Sequence, residues 1–419
     1  MADASSTANG NGRRNYMVHS VEGGLFMGGL AIVAPESVLP RMVEALGGPA
    51  WVIGIMPAAL AVGIALPGLF TAHMLERLER TLPAVLVMGI VQRLPFLIAG
   101  LVLLLQGETM PRLALCVVVL APLFSGLAGG VTLPAWMELI AKTLTPNRRA
   151  SAMAIRQIVA SMIGLASGGI IASVLHRWPG VHGYGVLHLV AFVFMMMSIA
   201  VLAFAQEEAV HPGHHGPAVG LLENLRSIPT VIRGAPGIAR FLAVRILSCG
   251  FFVSMPFMAI HALDTCALPD SYLGVLVAGQ MLGGIVGNVV GGYLGDRIGA
   301  RSCTLASIAS LLALCLLLPL CRQWWHFVAG FAFLGFGFNM LRIGMITLGI
   351  ELAPRSKRAT VLATIGWSMG TGLLSATLLG GFLWSLTERF DLVCGVASAW
   401  MVAAFLLLRG VPAPRRSPA

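Results

Sequence analysis

The chain has 419 residues, of which 57% are hydrophobic and only 11% charged, with a formal net charge of +10. A soluble domain carries about 25% charged residues, so this composition excludes an ordinary soluble enzyme and makes lipid the solvent of the fold. The positive charge is dispersed over many short polar gaps with no basic domain, which excludes a nucleic-acid-binding protein.

A membrane-crossing helix needs roughly 20 mainly apolar residues, and the sequence predicts twelve such spans. They cover residues 17 to 40, 50 to 74, 81 to 106, 112 to 141, 150 to 176, 184 to 205, 238 to 262, 270 to 295, 300 to 320, 324 to 351, 358 to 385 and 390 to 409. The apolar runs are continuous, as in Leu97 to Leu105, rather than alternating as outer-membrane barrel strands do. The fold class is therefore an all-α polytopic membrane protein.

Residues 1 to 16, with Arg13 and Arg14, form an N-terminal tail. Span 1 is too long for a signal peptide and contains Glu22 and Glu36, so it is expected to stay attached. Residues 17 to 205 make one six-helix bundle and 237 to 409 a second, followed by a tail over 410 to 419. The linker, 206 to 236, carries apolar residues at helical spacing from Val219 to Arg233, which predicts an amphipathic helix on the membrane surface. His211, His214 and His215 in this linker have no acid or cysteine to complete a metal site, and no cofactor is expected. The seven cysteines read as small packing residues, although Cys266 and Cys321 both fall near the outer face, where a disulfide is conceivable.

Most of the 27 Lys and Arg residues fall in alternate gaps, which places both termini on the cytoplasmic side. Two motifs recur in those gaps. Glu138 to Ile155 and Glu351 to Ile365 share an acid at a helix end, a basic loop with Pro146 or Pro354, and Arg-Ala-Ser or Arg-Ala-Thr opening the next helix. Between spans 8 and 9 lies GGYLGDRIGAR, Gly291 to Arg301, read as a short charged hinge; its counterpart, Ala72 to Thr81, is degraded, with Glu76-Arg77 for Asp-Arg and Glu79 in place of glycine.

These loops, the twelve spans and the six-plus-six division resemble the major facilitator superfamily of solute transporters, of bacterial type. The resemblance implies two pseudo-symmetric bundles that expose a central site to alternate faces. It also implies a cytoplasmic gate. Asp296 is expected near the helix opening at Arg149 to Ser151, and Glu76 near the one at Arg358, where a carboxylate meets free amides and the positive helix end. Arg77 with Glu138 and Arg297 with Glu351 are the side-chain pairs of that gate, with Arg301 beside them.

Charges inside spans each cost at least about 2.5 to 3.5 kcal/mol near a bilayer centre unless paired or hydrated. Under the resemblance, Arg156, Arg245 and Arg342 can face the central path, and their planar forks suit an anionic or zwitterionic substrate; pairing to acids is the alternative. Gln157, Gln280 and Asn339 can add hydrogen bonds, or simply join helices. Arg93 is expected to pair or snorkel at the bundle's side. Glu22 and Glu36 lie about 21 Å apart on one helix face, and Glu22, with His19 one turn before it, is the candidate proton carrier; a static pair with Arg156 or Arg245 is the other reading. Glu36 is either a second proton site or a surface charge.

The sequence holds no Walker loop, nucleophile elbow or zinc motif, so neither ATP nor enzymatic chemistry is expected. The reading is an inner-membrane, monomeric secondary transporter of a small organic solute, with proton coupling favoured and an anionic or zwitterionic substrate favoured over others. Alternatives are an exporter of amphipathic drugs or lipids and a non-transporting receptor or assembly protein. The Gly164 to Gly169 run lacks the Gly-Pro motif of drug antiporters in this superfamily, which weighs against the exporter.

Overall fold

A computed structural model describes residues 2–75, 80–207, 236–352 and 358–412. The amphipathic segment of the linker, together with Glu76 and Arg77, lies outside the described residues. Among those described there are fourteen α-helices and no strand. They are α1 (Ala2–Val33), α2 (Val38–Ala45), α3 (Ala50–Leu75), α4 (Leu82–Gln106), α5 (Pro111–Thr143), α6 (Pro146–Arg177) and α7 (Val181–Leu202) in the first half. The second half holds α8 (Pro236–Leu247), α9 (Met255–Cys266), α10 (Leu273–Ile298), α11 (Ala300–Leu317), α12 (Trp324–Leu352), α13 (Arg358–Thr387) and α14 (Phe390–Leu408). Eleven stretches are long and apolar enough to cross a membrane, and α3 adds a shorter apolar stretch, Ala50–Ala65.

Two predicted spans and one predicted hinge differ locally from what is observed, through proline in the spans and glycine in the hinge. Span 1 is not continuous: α1 ends at Val33, Ala34 adopts a positive φ of 24°, and α2 starts at Val38. Pro35 forces this, because it has no amide to donate and disfavours helical geometry in the residue before it. Span 7 is interrupted between α8 and α9 by a 3₁₀ turn, Ser248–Val253, just ahead of Pro256. The Asp-Arg hinge is instead helical: α10 continues through Asp296 and Arg297, and the chain turns on Gly299 alone, at φ +89°. A side chain at that φ would be strained, so glycine does the turning.

The chain divides into two compact units, Met1–Gly47 with Ala59–Ala218, and Gly48–Ala58 with Val219–Ala419. Glycine sets the close approaches inside each. In unit 1 a stripe on α1 lies on α6: a Cβ added to Gly24 would overlap Val159, and one on Gly28 would overlap Ile163. In unit 2 the glycines of α10 and α12 interlock backbone to backbone. A Cβ at Gly283 would strike the Ala332 carbonyl oxygen, one at Gly287 the Phe336 carbonyl oxygen, and one at Gly335 the Gln280 carbonyl oxygen. Small residues permit such approach where lipid supplies no hydrophobic drive between helices.

One end of unit 1 is fastened by polar side chains. The Glu207 carboxylate, its side chain only 2% exposed, accepts hydrogen bonds from the Thr81 amide and hydroxyl and the Leu82 amide, all at 2.8 Å, and pairs with Lys142 at 3.5 Å. It thereby caps the N-terminus of α4 from the far end of α7, joining three helices. Asn15 on α1 bonds the backbone of Gln206 in both directions, at 2.9 and 2.8 Å. Burial alone raises the Glu207 carboxyl, but the Thr81 and Leu82 donors and the Lys142 charge outweigh it and hold the group below the ordinary carboxylate range.

Replacing Gly283 or Gly335 with alanine sets a methyl against a carbonyl that cannot step aside, and should cost about 1 to 3 kcal/mol. A drop in apparent melting temperature of the purified protein checks this; an unchanged value contradicts the packing. Because the folded pKa of Glu207 is depressed, its stabilisation is complete above the unfolded value of about 4.3 and is lost as pH falls through the lower folded value. Glu207→Gln should therefore cost about 0.5 to 2 kcal/mol at pH 7 and remove part of the stability loss seen on acidification below that value. A parallel downward shift at all pH values would contradict the cap.

Candidate functional site

Buried polar groups in unit 1 converge on one cavity of about 190 Å³. Helices α1, α4, α5 and α6 supply its polar wall: Glu22, Gln92, Arg93, Thr132, Trp136 and Arg156. The Glu22 carboxylate accepts a hydrogen bond and ion pair from Arg156 at 2.8 Å, with the two side chains 5% and 17% exposed. Local sequence makes this possible. Arg156 lies across the backbone of α1 where Gly23 has no side chain; a Cβ there would overlap the Arg156 guanidinium. The other face of Arg156 rests on the Trp136 ring, 4.6 Å from its centroid, a cation–π contact that shields the charge from lipid.

Arg93 departs from the expected place at the bundle's side. It is 3% exposed and lines the same cavity. Its guanidinium donates to the Met195 carbonyl at 2.7 Å, the Gly89 carbonyl at 2.6 Å, the Ser198 hydroxyl at 2.8 Å and the Gln92 side-chain oxygen at 3.3 Å. The Phe26 ring lies 4.8 Å away. All four acceptors are neutral, so they satisfy its hydrogen bonds and leave its charge. Gly89 admits Ile199 of α7, whose Cδ1 a Cβ there would overlap, and leaves Arg93 Nη1 beside that position at 3.3 Å.

His19 is fully buried one turn before Glu22, and its Nε2 lies 2.8 Å from the Thr143 hydroxyl. Its Nδ1 has no hydrogen-bond partner among the described residues. Glu36 sits in the turn between α1 and α2, away from this cavity. Gln157 is partly buried on α6 and does not line the cavity.

In unit 2 the predicted polar residues form smaller groups. Arg245 on α8 is 9% exposed and donates to the Met369 sulfur at 3.4 Å. Arg342 on α12 donates to Asn339 Oδ1 at 3.3 Å, while Asn339 Nδ2 donates to the Gly335 carbonyl at 3.0 Å. Gln280 is buried on α10 and its backbone carbonyl meets Gly335.

The predicted gate residues are likewise placed within their own units. Glu138 lies 4.0 Å from Lys142. Arg149 folds back on the end of α5, donating to the carbonyls of Leu144 at 3.1 Å and Ala141 at 2.7 Å, which offsets unpaired acceptors at that terminus. Asp296 and Glu351 are exposed, Arg297 lies 5.1 Å from the Tyr293 ring, and Arg301 donates to the Arg409 carbonyl. The Arg358 side chain lies outside the described residues.

Sequence reasoning missed Glu207 and the part played by Trp136 and Gln92. Glu207 opens the polar linker in the sequence, so it reads as solvated charge; only the return of α7 to the start of α4 buries it. Trp136 carries a weak signal, an aromatic within a span two residues from Glu138.

No curated protein matches the sequence. Residues 240–419 match the family model described as Major Facilitator Superfamily. A solved structure of a mutant of the nucleoside transporter NupG is similar to the chain with a TM-score of 0.73 at 11% identity, covering 94% of this chain and 99% of that one. The D-xylose-proton symporter gives a TM-score of 0.71 at 12% identity, covering 97% and 99%. The human organic anion transporter MFSD10 gives 0.61 at 16% identity, covering 94% and 99%. The family's sequence pattern thus covers residues 240–419, and along nearly its whole length the chain has the fold of these solved membrane transporters.

Proposed function

We propose that the protein is a proton-coupled secondary transporter of a small organic solute, working by alternating access of its two units, with Glu22 as the proton carrier. The observation that carries this reading is the Glu22–Arg156 pair, 2.8 Å long, on the wall of a cavity inside the membrane-spanning part of unit 1. A carboxylate in low dielectric keeps its charge only while its cation stays with it. Any rearrangement that draws Arg156 away, or gives it another anion, favours uptake of a proton by Glu22; return of Arg156 expels it. His19, one turn away in sequence and with no hydrogen-bond partner at Nδ1 among the described residues, is a second group that can relay that proton.

The orientation follows from the basic residues: both termini cytoplasmic, in a cell (inner) membrane. On that side Asp296, Arg297, Glu351 and Glu138 act as the gate, together with Glu76, Arg77, Arg149, Arg301 and Arg358. Arg245, Arg342, Asn339, Gln157 and Gln280 serve as further polar contacts for solute. Among the similar structures, one is named a proton symporter and another an organic anion transporter, which agrees with this chemistry.

In proteoliposomes with a lumenal pH dye, the purified protein should carry protons when its solute is added. Glu22→Gln, which cannot ionise, should reduce that proton movement at least tenfold while solute still binds. Undiminished proton movement in Glu22→Gln would remove Glu22 from the mechanism.

A further inference from the structure

The unit 1 cavity carries more positive charge than it can neutralise. Two guanidiniums, Arg93 and Arg156, line it, and Glu22 is the one carboxylate among its lining residues. Glu22 is engaged with Arg156 at 2.8 Å, while Arg93 faces neutral carbonyls, a hydroxyl and an amide oxygen. The cavity wall therefore bears one unit of net positive charge within a span that crosses the membrane. Such a charge is costly in lipid unless an anion joins it.

We propose that this cavity is a binding site for a small organic monoanion, whose carboxylate is received by Arg93 and Arg156. The volume fits this class: an apolar cavity of about 150 Å³ admits benzene, and this one, at about 190 Å³, has room for a ring or short chain with a carboxylate attached. Phe26, Leu133 and Ile199 offer apolar wall for the body of such a ligand, while the Gln92 amide and Thr132 hydroxyl flank the charged end. Arg93 keeps one Nη2 hydrogen beyond its four protein bonds, and with its charge and the Arg156 guanidinium this suits the two oxygens of a carboxylate. An incoming carboxylate competes with Glu22 for Arg156, and Glu22, once displaced, takes a proton from the aqueous side to become neutral.

This linkage rests on the reading of Glu22 as proton carrier. The charged and titratable groups around Glu22 are Arg156 from α6, Arg93 from α4 and His19 from its own helix; Glu138 of α5 pairs with Lys142 instead. Neutralising Glu22 frees Arg156 for the incoming anion.

The test is calorimetric titration of the purified full-length protein with benzoate, which stays ionised from pH 5.5 to 8, and with benzamide, its neutral analogue. Benzoate should bind wild type, with benzamide at least tenfold weaker, and Arg93→Gln should weaken benzoate at least tenfold. Arg93→Lys, which keeps the charge, should recover most of that loss. Equal binding of the two probes, no benzoate binding by wild type, or an Arg93→Gln protein that binds benzoate normally would each overturn the proposal. Glu22→Gln, which removes the carboxylate that competes for Arg156, should bind benzoate at least threefold more tightly than wild type. Benzoate binding that needs Arg93 yet is no tighter in Glu22→Gln would support the anion site while removing Glu22 as its competitor.

Discussion

A charge inside a bilayer must be answered by another group of the protein, and in unit 1 that requirement fixes the architecture around Glu22 and Arg156. Their pairing needs α1 and α6 closer than two ordinary side chains allow. Gly23 removes the obstacle beside the pair, and Gly24 and Gly28 continue the same close seam against Val159 and Ile163. The aromatic face of Trp136 closes over Arg156 from α5. Breaking such a pair by removing one partner leaves an uncompensated buried charge, at a cost of about 3 to 5 kcal/mol.

Both units pack helices through glycines set against facing carbonyls, and unit 1 adds polar fastenings to them. Unit 1 is held by long-range polar contacts: the Glu207 cap on α4, the Asn15 bonds to Gln206, and the ion pair. Unit 2 relies on glycines whose backbones lie against carbonyls of the facing helix, with Gly283 and Gly335 at the tightest points. There Arg245 donates to the Met369 sulfur and Arg342 to Asn339, while Arg389 pairs with Asp391.

Much of this is readable from residues. Long apolar runs specify helices, and Pro35 and Pro256 mark where two spans break, although treating each run as one helix hides the breaks. Glu22 and Arg156 are conspicuous because a charge inside an apolar span is expensive, and each was a partner considered for the other. Arg93 is equally visible, but its direction depends on where α4 faces α7 and α1, a tertiary fact that no local pattern carries. Glu207 is hidden for the opposite reason. It stands beside Glu208 at the start of a polar stretch, and only chain return makes it a buried cap.

The central claim, that Glu22 and Arg156 act as one buried unit, is tested most directly by a double-mutant cycle on apparent thermal stability with Glu22→Gln, Arg156→Gln and the double variant at pH 7. Each single variant should be destabilised, and the double variant should recover part of the loss, with a coupling energy above about 1 kcal/mol. Strictly additive losses would show that the two residues act separately and would contradict the account.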